Sequence, residues 1–256
     1  MYRYYHFDLH PSAPFYPEFR VHGQPVEVST AYGDVNGDGV PDHVYLTAIK
    51  PSDQGSPFWE QITLMIRCGA TKKLYTIALD SIANAGYNPT VFLGDFTKDR
   101  IQDILIRIDS GGSGAFTYDY VYSFVNNMAR KLFDFNLYNQ QNQYIVTYLD
   151  GYKVKVVSPS TAQTYIIDIS GRSTEYLSSI YASNGKLKAP IQGNADGVSG
   201  FYPVDMERDG VYEIQAYQRI TGLYHADSLG YMINTLQWNG LQFVIWQQWL
   251  AIFGNS

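Results

Sequence analysis

The stretch "GDVNGDGVPD", Gly33 to Asp42, places side-chain oxygens at Asp34, Asn36, Asp38 and Asp42, with glycines between them. The strand-like run "HVYLTAI" follows directly. Unpaired carboxylates this close repel one another, so something positive is expected to sit among them. Two later stretches follow the same plan. "YGDVNGDGVPDHVYL" from Tyr32 aligns with "LGDFTKDRIQDILIR" from Leu93 and "PVDMERDGVYEIQAY" from Pro203. Each begins with an acid, carries an oxygen residue at the third position, an Asp at the fifth and an acid at the ninth, and runs into a strand. The second interval is close to twice the first. A degenerate unit without the acidic loop is therefore expected between them, around "YIVTYLDGYKVKVV".

Working outward, the chain reads as strands. "DHVYLTAI", "EQITLMIR", "KLYTIAL", "DILIRID", "TYDYVYSFV", "QYIVTYL", "YKVKVV" and "TYIIDI" are short, β-branched or aromatic, and often alternate. "LDGYKV" and "QWNGLQF" carry Asp-Gly and Asn-Gly hairpin turns. The best helix candidate is "STEYLSSIYASNGKL", with Tyr176, Leu177, Ile180 and Tyr181 on one face, and it reads as an insertion between sheets. Repeats of this spacing suit propeller blades. The expected fold is all-β and propeller-like, about four blades of four antiparallel strands with a short helical insertion. An incomplete or five-unit arrangement is the alternative. Residues 1–25 form a Tyr/Pro-rich N-terminal segment and 26–256 a single domain.

The acidic loops are suited to a hard cation. Calcium takes about six to eight oxygens at about 2.3–2.6 Å, and alternating side chains of a tight loop can supply them. The expected ligands are Asp34, Asn36, Asp38, Asp42 and the Val40 carbonyl in the first loop. In the second they are Asp95, Thr97, Asp99, Asp103 and the Ile101 carbonyl, and in the third Asp205, Glu207, Asp209, Glu213 and the Val211 carbonyl. The loops are not EF-hands, which need a bidentate Glu at the twelfth position. Tyr45, Ile106 and Ala216 stand there, and the acid comes at the ninth. This shared pattern resembles the calcium loops of FG-GAP/VCBS-type repeat β-propellers, and the resemblance implies Ca2+ as an architectural cofactor. The second loop departs from it, with Thr97 for an Asp or Asn and Arg100 for the glycine. Arg100 must avoid a positive φ or bear its strain. The Tyr-rich N-terminus and "GYNPTVFLGDF" are also similar to uncharacterised repeat proteins of spore-forming bacteria, so a spore or cell surface is one expected setting.

Other chemistry is weakly signalled. The formal net charge of -6, with no Lys/Arg cluster beyond "TKK", argues against nucleic-acid binding. One cysteine, Cys68, excludes an intramolecular disulfide and reads as a small buried hydrophobe. The N-terminus has no signal-peptide core, and "FVIWQQWLAIF" is too short and too interrupted to span a bilayer, so no membrane span and no cleaved leader are expected. "DSGGSGA" is neither a nucleophile elbow nor a phosphate loop, and reads as an inter-strand loop. The five histidines are scattered. Asp109, Asp119 and Asp168 could be paired into a glycosidase only by geometry. Trp238, Trp246 and Trp249 read first as packing between sheets. The expected function is a non-catalytic binding or structural module of surface or coat type, with a protein or polysaccharide partner. The alternative is an enzyme acting on a polysaccharide or cell-wall polymer.

Overall fold

The computed structural model describes residues 23–51, 55–112 and 114–254. Most of the N-terminal segment, including His6, His10 and His22, lies outside them. Among the described residues fifteen strands form four antiparallel sheets, each made of consecutive strands in meander order. The first sheet contains β1 (Val26–Gly33), β2 (Asp42–Ile49), β3 (Glu60–Arg67) and β4 (Leu74–Ala78). The second contains β5 (Tyr87–Gly94), β6 (Asp103–Asp109), β7 (Thr117–Ser123) and β8 (Arg130–Asp134). After helix α1 (Phe135–Gln141) comes a three-stranded sheet of β9 (Ile145–Leu149), β10 (Lys153–Ser158) and β11 (Gln163–Asp168). Helix α2 (Thr174–Ile180) then leads to the fourth sheet, β12 (Asn194–Val204), β13 (Glu213–Thr221), β14 (Ser228–Trp238) and β15 (Phe243–Ala251).

The central strands form where alternation is strongest. In β2 and β3, Val44, Leu46, Ala48, Ile62, Leu64 and Ile66 are fully buried. Each such Val, Leu or Ile contributes about 1.5–3 kcal/mol by leaving water. β6 is buried almost throughout, through Ile104, Leu105, Ile106 and Ile108, so it lies between two packed layers. The degenerate unit expected near Tyr148 is the third sheet. Its first hairpin turns through Asp150–Tyr152, with Gly151 and Tyr152 at positive φ.

The spatial order of the sheets differs from the chain order. β1 packs on β5, and β7 packs on β12. One core joins the first two sheets to the loop-proximal half of the fourth, through Val198, Phe201, Ile214, Ala216 and Leu236. A second core joins the third sheet and α2 to the far half of the fourth, through Ile220, Leu229 and Met232. The third sheet in sequence thus packs against the fourth instead of lying between the second and the fourth. The expected fold class is met as an all-β arrangement of four antiparallel sheets, three of them four-stranded.

The two helices are locally encoded. Ser173 caps α2 by accepting from the Tyr176 N–H, and Ile180 is buried while Tyr176 and Leu177 are half-buried against the second core, as the stripe predicts. Helix α1 was not anticipated. Asp134 caps it by accepting from the Asn136 and Leu137 N–H groups, and Phe135 and Tyr138 bury one face.

Candidate functional site: three acidic turns and an amide-lined cleft

The three acidic loops connect the first and second strands of sheets one, two and four. Gly33 pairs with Asp42, Gly94 with Asp103 and Val204 with Glu213, so all three close in the same register. Their hydrogen bonds also correspond. The first-position carboxylate accepts from the middle of its own loop. Asp34 takes the Gly37 and Gly39 N–H groups at 2.7 and 2.8 Å. Asp95 takes those of Lys98 and Arg100 at 2.6 and 2.8 Å, and Asp205 those of Asp209 and Gly210 at 3.1 Å each. The fifth-position Asp38, Asp99 and Asp209 each accept from the seventh-position N–H, of Val40, Ile101 and Val211 respectively. The ninth-position acid is buried and accepts from the second-position N–H: Asp42 from Val35, Asp103 from Phe96 and Glu213 from Met206.

The third position varies. Asn36 accepts from the Asp38 N–H and donates to Cys68 Sγ at 3.4 Å, Thr97 donates to Asp103, and Glu207 is exposed. Cys68 is buried as expected, and its thiol also donates to Asp38 at 3.7 Å.

These contacts correct the metal reading. Among the described residues no group of three or more His, Cys, Asp or Glu side chains is placed to hold a metal ion. The carboxylates are satisfied by their own backbone. In the first loop both oxygens of Asp34, Asp38 and Asp42 have donors, the last through Val35 and Gly69. The loops are acidic turns in which N–H groups take the place proposed for a cation. The description of the chain as calcium-binding and metal-binding is accordingly withdrawn.

The turns also bond to one another. The Gln102 N–H of the second loop donates to the Asp34 carbonyl at 3.2 Å, and the Tyr212 N–H of the third donates to the Asp95 carbonyl at 2.7 Å. Both donors occupy the eighth position and both acceptors the first. Gly94 permits the close approach, since a Cβ there would sit 2.8 Å from the Tyr212 ring. Lys98 and Asp209 add an exposed ion pair at 3.7 Å.

Burial acts on two carboxyls of the second sheet. It pushes Asp103 up to about 7 against the opposing bonds from Phe96 and Thr97. It also pushes Asp119 up to about 7, where Thr117 and Arg107 act in the opposite direction. Asp109 lies nearby, 3.7 Å from Arg107, and Asp168 is an exposed turn-former that accepts from the Ser170 N–H. The sequence candidates for a carboxylate pair are therefore spread over two sheets.

A cleft of about 650 Å³ opens where α1 meets sheets two, three and four. Two polar runs supply its walls, "NQQNQY" at the end of α1 and "IQGNADG" entering β12. Gly193 lets the latter approach β9: its N–H donates to the Val146 carbonyl at 3.0 Å, and a Cβ there would meet the Thr221 carbonyl at 2.4 Å. Gln218 of β13 is buried beneath the cleft. Its Nε2 donates to the carbonyls of Asn142 and Asp196 at 3.1 and 3.2 Å, which fixes the amide orientation and leaves Oε1 without a partner. Asp196, the one carboxylate lining the cleft among the described residues, is buried and held by Arg219 at 2.9 Å and His225 at 3.1 Å. Phe116 and Tyr118 stand half-buried at one wall. Nothing in the sequence singled out this cleft. Its signals are amide runs, which carry no charge and no spacing rule. Trp246 and Trp249 are partly exposed on the edge strand β15, while Trp238 packs edge-to-face on Phe243. No helix of the described residues is long and apolar enough to cross a membrane.

Comparison with known proteins corrects the family expectation. Residues 142–251 match the family model described as the YybI C-terminal domain, a stretch that starts at the end of α1 and takes in sheets three and four. The uncharacterized protein YybI of Bacillus subtilis (strain 168) is 47% identical over 236 residues, 92% of this chain and 88% of that protein. The matched family is not an FG-GAP or VCBS repeat family, and the repeat-protein assignment falls with it. The shared acidic pattern reflects turn chemistry, which any hairpin loop of this length can adopt. The chain belongs to the YybI family.

Proposed function

We propose that this chain is a non-catalytic binding or structural module, a propeller-like scaffold of four sheets that presents the cleft at the end of α1. The observation that carries the reading is the cleft itself, open, walled by amide side chains and flanked by the half-buried rings of Phe116 and Tyr118. The cleft suits binding better than hydrolysis. Glycoside hydrolysis uses two carboxylates across the bond, whereas Asp196 is the only acid lining the cleft among the described residues, and Arg219 holds it.

Incubation with soluble polysaccharide and cell-wall polymers, followed by reducing-end and amine assays, tests the non-catalytic part. No release above a heat-denatured control is expected. Release abolished by Asp196→Asn would replace this reading with the enzymatic one. In the scaffold the acidic turns serve as self-bonded clamps. A thermal melt in EGTA and then in millimolar calcium should give the same midpoint. A calcium-specific rise, removed by Asp38→Ala, would overturn the clamp reading.

A further inference from the structure

We infer that the cleft takes a segment of a neutral polyhydroxyl chain, a glycan, with its hydroxyls against the amide side chains of the walls and a ring face against Phe116 and Tyr118. This rests on the binding-module reading and names its ligand class. The volume, about 650 Å³, lies within the roughly 300–1,000 Å³ of small-ligand sites. The lining is rich in amides: Asn139, Asn142, Gln143, Gln192, Asn194 and Gln218. An amide offers a donor and an acceptor with no net charge, and a hydroxyl does the same, so the two complement one another without ionic selection. The fixed group beneath the cleft is an acceptor only, because both carbonyls facing Gln218 have taken its N–H groups.

Charge and backbone argue against the other polar polymers. Among the described residues the single acid of the lining is held by Arg219, and no cationic side chain lines the cleft to read a phosphate or carboxylate. One way to hold an extended peptide is to add it to a free strand edge. Here the edge of β9 is closed, since Tyr148 N–H donates to the Ile191 carbonyl and Gly193 N–H to the Val146 carbonyl. The nearby edge of β12 is closed at Val198, whose N–H donates to Asn139 Oδ1 at 3.0 Å. Two half-exposed aromatic rings remain, the kind of amphipathic surface that accepts the apolar face of a sugar.

The test titrates the full chain, labelled with ¹⁵N, with cellopentaose, with the tetramer of N-acetylglucosamine, and with a neutral Gly-Ser pentapeptide. The Asn and Gln side-chain amide resonances are followed. At least one oligosaccharide should shift the amides of Asn139, Gln143 and Asn194. Tyr118→Ala and Phe116→Ala should each weaken that binding by roughly tenfold, the loss of one good contact. Phe116→Ala keeps the test decisive if Tyr118→Ala does not fold. Peptide shifts at these amides without oligosaccharide shifts would overturn the glycan class and leave a binding module. Oligosaccharide shifts confined to other residues would overturn the site. Silence with all three ligands, in folded protein, would overturn both the glycan and the binding-module reading.

Discussion

The first and second acidic turns share the backbone bonds to their first-, fifth- and ninth-position acids, yet they are built from different residues. In the first, Gly37 and Gly39 take the left-handed conformation at φ 84° and 80°. In the second, Lys98 and Arg100 take it at 63° and 68°. Left-handed geometry costs a residue with a Cβ roughly 1–2 kcal/mol. The second turn bears that strain because Asp95 receives both strained residues' N–H groups and Asp103 receives three further donors from Phe96 and Thr97. The carboxylates set the loop shape, and glycine only lowers its cost. The expectation that Arg100 would avoid a positive φ or bear its strain resolves to the second case.

The largest test of that idea is Asp42→Ala. The change strands the Val35 and Gly69 N–H groups, each bonded to a buried carboxylate, and should cost about 3–6 kcal/mol. The loss is read from urea unfolding midpoints. Glu213→Ala strands one such N–H and should cost about half as much. Equal costs would mean that packing, not the bonds, dominates.

Next comes pH. Asp103 is raised from 3.8 to about 7 in the folded chain, so folding favours its protonated form. The stability this provides is fully present below about pH 4 and is lost as pH rises through about 7. At 1.36 kcal/mol per unit, the change amounts to at most about 4 kcal/mol. Asp103→Asn keeps an acceptor for Phe96 and Thr97 and removes the titration. Denaturation curves between pH 4 and 8 should show a shallower fall for the variant than for the parent. Asp119→Asn should flatten the same window, because burial shifts that carboxyl in the same direction.

Smaller effects refine the comparison. Arg100→Gly should raise stability by about 1 kcal/mol, and Gly39→Arg, where a Cβ meets nothing within 4 Å, should lower it by about as much. A midpoint shift of the same sign in both would refute the shared geometry. Lys98→Met removes an exposed ion pair and should move stability by no more than about 0.5 kcal/mol.

Local signals in the sequence located much of this architecture. β2, β3 and β6 span the runs "DHVYLTAI", "EQITLMIR" and "DILIRID" read as strands, and the Asp-Gly and Asn-Gly turns close the hairpins they predict. The acidic spacing placed three loops correctly and misassigned what satisfies them, because a cation and a backbone N–H select the same oxygens. β1 and β5, which carry mixed and half-buried residues, gave no period, and α1 is too short for one. The order of the sheets in space was not encoded locally at all. It follows from which faces of the fourth sheet each core covers. The cleft was missed for the same reason, since its walls meet only after α1 brings three sheets together.

The bonds between turns run one way, from an eighth-position N–H to the first-position carbonyl of the turn before it. At the first turn the eighth residue is Pro41, whose ring nitrogen has no hydrogen to give. Its carbonyl is also pressed against Gly69, where a Cβ would fall 2.0 Å away. In the language of polymer chemistry the row has a capped initiator. It grows through two links and cannot be extended backwards by a neighbouring copy, which keeps a line of exposed acidic turns from acting as a template for stacking.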